Sequence, residues 1–197
     1  TNPLGQYYRQ PQIYIKLPSG GRYYPKEVFT PTETGEIPIL PMTAKDEMAF
    51  KTPDAMINGQ STVDVIKSCV PNLLDPWKMV NYDTDAVLLA IRIATYGETM
   101  DITFRVPGLD EQQQHTMNLP ALLEDLGRIE IADSTTTSKG FKVDIQPLDY
   151  KTLTKIQIAR FEQQKMYGTI DSSSMTEEQK QTAFAKSFET LNTVNFS

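Results

Sequence analysis

The residues able to do covalent chemistry are few, and their spacing does not favour it. A side-chain nucleophile needs a base within reach. The sole histidine, His115, lies in the polar run 110–115, and no G-x-S-x-G elbow occurs in the chain. His115 reads as an exposed loop residue. The single cysteine, Cys69, falls on the apolar side of a helical pattern, where a thiol behaves as a small hydrophobe. One cysteine forms no internal disulfide, and Cys69 with His115 cannot complete the tetrahedral Cys/His set of a structural zinc site, so neither metal nor cofactor is expected. Ser19-Gly20-Gly21 lacks the G-x-x-x-x-G-K-[ST] spacing of a phosphate loop and leads into tyrosines instead of a helix. A turn is expected there. Asp83 and Asp85 resemble a catalytic carboxylate pair, but they stand at a predicted helix start, where the macrodipole favours negative charge, so Asp83 or Thr84 is assigned as a cap. With no catalytic constellation left, the chain is expected not to be an enzyme.

Binding is the more promising chemistry. Tyr7, Tyr8, Tyr14, Tyr23 and Tyr24 mix with Arg9, Lys16 and Arg22 in a way that resembles a platform for single-stranded nucleic acid. The charge balance opposes that reading: 19 Lys+Arg against 25 Asp+Glu leave a net −6, the wrong sign for a polymer of phosphates or an anionic membrane. Tyrosine and arginine are equally the residues enriched in protein interfaces, and contact with another polypeptide is the more economical reading. Candidate partner-binding residues are therefore Tyr7, Tyr8, Tyr14, Arg22, Tyr23 and Tyr24, joined by Phe184, Phe188 and Leu191, which share a stripe on a predicted terminal helix. Arg92 lies within an apolar helix, where an unpaired charge is costly, so it should meet a carboxylate or reach an interface.

These residues need elements to hold them. Ile13, Ile15 and Leu17 alternate with Tyr14 and Lys16, the pattern of a strand, and a second apolar stretch at 37–40 follows the 18–21 turn. Prolines 25, 31, 38 and 41 mark the edges of this unit. Thr43 is positioned to cap a short helix, Thr52-Pro53 to start another that Asn58-Gly59 stops, and Ser61 with Asp64 to open a third that ends at Pro71. The segment 85–96 is apolar nearly all round and closed by Gly97, which predicts the central core helix. A strand at 100–106, a turn at Pro107-Gly108, a return through 110–115 and a short helix capped by Asn118 and ending at Gly127 come next. Strands are predicted at 129–132 and 141–145. A long amphipathic helix at 150–167 closed by Gly168, a serine linker at 172–174, and a last helix opened by Ser174 and Glu177 complete the chain. The expected fold is α+β, with an N-terminal β-unit and extended docking segment (1–42), a central helical core with a small β-hairpin (43–146) and two C-terminal amphipathic helices (147–197). The longest apolar run, 86–91, is far short of the roughly 20 residues of a membrane helix. The chain opens on Thr1 instead of methionine, so both ends are read as open to truncation.

Three blocks in this order carry a family resemblance: Leu17-Pro18-Ser19-Gly20-Gly21-Arg22-Tyr23-Tyr24-Pro25, Ile39-Leu40-Pro41-Met42-Thr43-Ala44-Lys45-Asp46-Glu47 and Thr52-Pro53-Asp54-Ala55-Met56-Ile57-Asn58-Gly59. With the helix ending Ala90-Ile91-Arg92-Ile93-Ala94-Thr95-Tyr96-Gly97, they resemble the T-even-type bacteriophage baseplate hub protein family over about half the chain. One departure matters. Many relatives carry a Cys-Pro-x-Cys pair after the strand that follows Tyr-Gly, whereas this chain reads Phe104-Arg105-Val106-Pro107-Gly108, so an ordinary hairpin is expected in place of a metal-tied turn. The resemblance implies a non-enzymatic component of a contractile-tailed phage, either a baseplate hub subunit or a transient hub assembly chaperone absent from the mature virion. Its implied partners are other tail and baseplate proteins, with copies arranged by the tail symmetry and neither nucleic acid nor membrane bound. Synthesis in the host cytoplasm agrees with the unpaired cysteine, with the virion baseplate as destination.

Overall fold

The computed structural model describes residues 9–51, 58–106, 112–129, 132–171, 176, 178–183 and 185, the side chains at 169–171 excepted. The fold is α+β, with helices around a buried cluster and, among the described residues, three separate two-stranded antiparallel sheets. The expected first strand is β1 (Ile13–Lys16), which pairs with β2 (Glu36–Ile39) so that Ile13 faces Ile39 and Ile15 faces Ile37. Ile15, Leu17, Ile37 and Ile39 are buried while Tyr14 stands 61% exposed, the alternation that a half-buried strand requires. Over the part that is described, this unit shares one core with the helices.

Helix α1 (Ala44–Phe50) begins as predicted at Thr43, and the cap is a full capping box: Asp46 N donates to Thr43 Oγ1 at 3.3 Å, and Thr43 N donates to Asp46 Oδ2 at 2.8 Å. The predicted helix at Thr52-Pro53 lies outside the described residues. Helix α2 (Gln60–Cys69) starts one residue before the predicted Ser61 cap. Gly59 takes the N-cap at φ +76°, Asn58 Oδ1 accepts from Gln60 N at 3.0 Å, and the Ser61 hydroxyl is buried without a hydrogen bond. Glycine is required at 59, since an added Cβ would lie 3.1 Å from Thr154 Cγ2 in the helix above it.

A single 3-10 turn at Pro76–Lys78 leads into α3 (Asn81–Tyr96), which carries Ala86, Val87, Ala90 and Ile91 in the core as its composition predicted. Burial of each Val or Ile here stabilises the fold by about 1.5–3 kcal/mol relative to exposure. The helix begins four residues before 85, which moves Asp83 from the cap into the first turn. Gly97 closes it at φ +95°, and its amide donates to Ile93 O at 2.9 Å.

Beyond α3 the chain turns outward. β3 (Thr99–Arg105) and β4 (Gln112–Asn118) form the expected hairpin, its turn outside the described residues. Asn118 caps α4 (Leu119–Gly127) by accepting from Ala121 N at 2.9 Å. The next hairpin pairs β5 (Ser134–Thr136) with β6 (Lys142–Asp144). The predicted strand at 129–132 lies partly outside the described residues; β5 falls within the Ser/Thr run, where Thr137 and Gly140 tighten the turn: Gly140 N donates to Thr137 O at 2.9 Å. Helix α5 (Tyr150–Asp171) continues through Gly168, where a stop was expected. It is not amphipathic: Leu153, Ile156, Ile158, Phe161 and Met166 are spread around its circumference, and among its described side chains only Thr154 is buried. Residues 178–183 are again helical, in the predicted last helix.

Candidate functional site

Two carboxylates lock the N-terminal unit to the helices. Asp83 is fully buried and accepts from Ser19 N at 2.8 Å, from the Ser19 hydroxyl and from the Tyr24 hydroxyl at 2.7 Å. Tyr24 in turn accepts from Val80 N at 2.9 Å and meets Phe29 edge-on at 6.0 Å. Burial raises the Asp83 pKa and outweighs the hydrogen bonds that pull it down; burial and the neighbouring carboxylate also raise that of Tyr24. The Ser-Gly-Gly turn is therefore a clasp on α3: Gly21 at φ +77° brings the chain against Phe29, whose ring an added Cβ would meet at 2.9 Å. At the second lock, Asp46 Oδ2 accepts from Thr43, from Ser68 Oγ at 2.9 Å and from Arg9 Nη1 at 3.3 Å, while Arg9 also donates to Pro41 O at 2.7 Å and to Ser68 O. Burial acts to raise the Asp46 pKa, but these donors prevail and hold it below the usual value.

The predicted binding residues divide accordingly. Tyr24 spends its hydroxyl on Asp83 and Val80, so it belongs to the clasp and offers a partner no polar tip. Tyr23 donates to Asp133 Oδ1 at 2.5 Å, and Arg22 pairs with Asp133 Oδ2 at 3.3 Å, both exposed and both joining the N-terminal turn to the start of the second ribbon. Tyr14 is left free on the outer face of β1. Tyr7 and Tyr8 lie outside the described residues, as do the side chains of Phe184, Phe188 and Leu191. Among the described residues Arg92 pairs with no carboxylate. Its guanidinium stacks on the Tyr96 ring at 4.6 Å, and its Nη1 is buried without a hydrogen-bond partner. Sequence reasoning missed Asp46 and Asp133. The Thr43-x-x-Asp46 spacing was a legible signal for the first, whereas nothing local announced the second.

No catalytic arrangement emerges around the two candidates for chemistry. His115 is exposed on β4, opposite Ile102. Cys69 is buried beneath Arg9, and burial, helped by Asp46, pushes its thiol up to about 11, the reverse of an activated nucleophile. Among the described residues no His/Cys/Asp/Glu cluster could hold a metal ion, and no helix is long and apolar enough to cross a membrane.

Apolar groups instead face outward. Phe141 is 69% exposed just before β6, Val143 is exposed on it, and Ile145 and Leu148 are exposed in the chain that follows; Phe104 is exposed on β3, and Phe161 and Met166 on α5. Both ribbons are two strands wide with no residue buried, whereas a hairpin of that kind is marginal in water without something to cover a face. The root of α5 is fixed, since Tyr150 N donates to Met79 O at 2.6 Å and Trp77 packs on the Tyr150 ring at 5.7 Å.

Neither the curated proteins nor the solved structures contain a match to this chain. The family model described as T4 bacteriophage base plate protein matches residues 10–194, and since that span takes in the clasp, the core helix, both ribbons and α5, the chain belongs to the T4 bacteriophage base plate protein family.

Proposed function

We propose that this protein is a non-enzymatic subunit of the baseplate hub of a contractile-tailed phage, holding neighbouring tail proteins through its exposed ribbons and α5. Membership of the baseplate family supports a structural role in the phage baseplate and contact with other tail proteins. The observation that favours work by contact is the contrast between a clasped core and two ribbons that bury nothing of their own. The hub assignment rests on the resemblance of the 17–25, 39–47 and 52–59 blocks to hub proteins. On this reading the chain is made in the host cytoplasm, resides in the virion baseplate, and binds neither nucleic acid nor membrane.

Quantitative mass spectrometry of purified virions and of infected-cell lysate tests it, with imaging of the baseplate to locate the chain. Stoichiometric presence at the tail axis is the expected result. Presence in lysate with absence from virions would instead make the chain a transient hub assembly chaperone, and density only at the periphery would remove the hub assignment. His115→Ala should leave infectivity intact; its loss, with baseplates still assembled, would revive a catalytic reading.

A further inference from the structure

Pro38 decides which edge of the first sheet is open. Tyr14 stands opposite Pro38, which has no N–H to give, so that pair occupies a position without ladder bonds, and Ile13 and Ile15 make the bonds to Ile39 and Ile37. Gln12 N also donates to Ile39 O at 3.0 Å, the doubled donation of a β-bulge, which fixes the same phase. The N–H and C=O groups of Tyr14 and Lys16 consequently point away from β2, and among the described residues no backbone hydrogen bond meets them there. The far edge of β2 differs. Pro38 has no amide to present along it, and Leu40 N is taken by Cys69 O at 2.8 Å.

Beside the open edge runs a groove of about 570 Å³. Four consecutive residues, Ile13, Tyr14, Ile15 and Lys16, form one wall, as a strand does when its edge faces the space, because its side chains alternate between faces. The opposite wall is one face of α4, with Pro120, Leu123 and Gly127 at helical spacing, and Ile93 of α3 also lines the groove.

We propose that this groove receives one extended segment of another baseplate polypeptide, added beside β1 as a third strand. The unpaired backbone edge calls for a strand; Ile13, Ile15, Ile93, Pro120 and Leu123 in the lining call for apolar side chains at alternate positions, while Glu124 and Arg128, which also line it, are paired with each other. Lys16 and Glu98 also line the groove, neither ion-paired among the described residues, and offer the segment one charge of each sign. A second copy of this chain is a poor occupant, because its β1 comes backed by β2 and α4 stands where that second strand would go. The inference takes from the proposed function only that the partner is a baseplate protein.

The test places a photo-crosslinking phenylalanine derivative at Tyr14 of the full chain during infection and maps adducts in lysate and in purified virions. The expected adduct falls within a segment about 5–6 residues long of a different phage protein. It should drop at least tenfold with Gly127→Trp, which fills the groove. That variant should fold, since an added Cβ at Gly127 meets nothing within 4 Å and tryptophan is a better helix residue than glycine. No adduct, an adduct to a second copy, or one untouched by Gly127→Trp would overturn the proposal. Slow amide exchange at Tyr14 and Lys16 in the purified protein would do so too, because an open edge exchanges fast. An adduct in lysate but not in virions supports the groove while counting against residence in the virion, so the two readings fail separately.

Discussion

The core around α3 and the ribbons that leave it use similar apolar residues to opposite ends. In the core, Ile37, Ile39 and Ile91 are sealed between β1, β2 and the helices, and two carboxylates bolt the layers together. In the ribbons, Phe104 and Val143 sit on strands that pair only within their own hairpin among the described residues, and Phe141 and Ile145 flank β6, all of them exposed. The first region can account for its own stability by burial. The second cannot, and its apolar surface is intelligible as contact area within a larger particle, which is what a baseplate protein is built to supply.

The comparison breaks most visibly if equal truncations cost the same on both sides. Ile37→Ala should destabilise the isolated protein by about 2–5 kcal/mol in urea unfolding, the range for a buried large-to-small change. Phe141→Ala should change it by no more than about 0.5 kcal/mol, as at an exposed site, yet lower incorporation into tail particles. A large loss of stability from Phe141→Ala would show that the ribbon belongs to the core.

The clasp sharpens the contrast at the next level. Tyr24→Phe strips Asp83 of a donor and leaves Val80 N unpaired, and thermal unfolding should report a loss of about 1–3 kcal/mol. The exposed partner, Tyr23→Phe, removes a bond of the same chemical type to Asp133 and should cost far less. Gly97→Ala, which forces a Cβ onto φ +95°, is expected to cost about 1–2 kcal/mol without disturbing any contact.

The smallest effects are those of pH, and the two locks should show opposite signs. Asp46 is held below its ordinary 3.8 when folded, so its contribution is present above that value and is lost as pH falls through the folded pKa. Asp83 is raised above 3.8 when folded, so its contribution is fully present below 3.8 and is lost as pH rises through the folded pKa. Unfolding titrations should therefore find that Asp46→Asn flattens the acid side of the stability profile and Asp83→Asn the side above it. Identical slopes in both variants would contradict the assignment of the two locks.

Local rules made much of this fold legible. The Ile13, Ile15, Leu17 alternation, the Thr43 and Asn118 caps and the apolar helix closed by Gly97 each depend on neighbours within a few residues, and each is present. Legibility failed where the deciding partner is remote. Asp83 reads as a cap from its neighbours but is the buried anchor for Ser19, 64 residues away. Arg92 reads as half of an ion pair or an interface contact, and within the chain its guanidinium lies on a tyrosine ring.

By itself the sequence determined the class of the fold, the core helix and the Thr43 and Asn118 caps, because spacing, chirality and charge act within a turn or two of chain. Only the tertiary structure decided which tyrosine is spent internally and which stays free, and which edge of the β1–β2 sheet is open. The same is true of the clasp that makes the N-terminal unit part of the core. These outcomes depend on which segments meet across the chain and exclude water, a property of the packed molecule that no local pattern encodes.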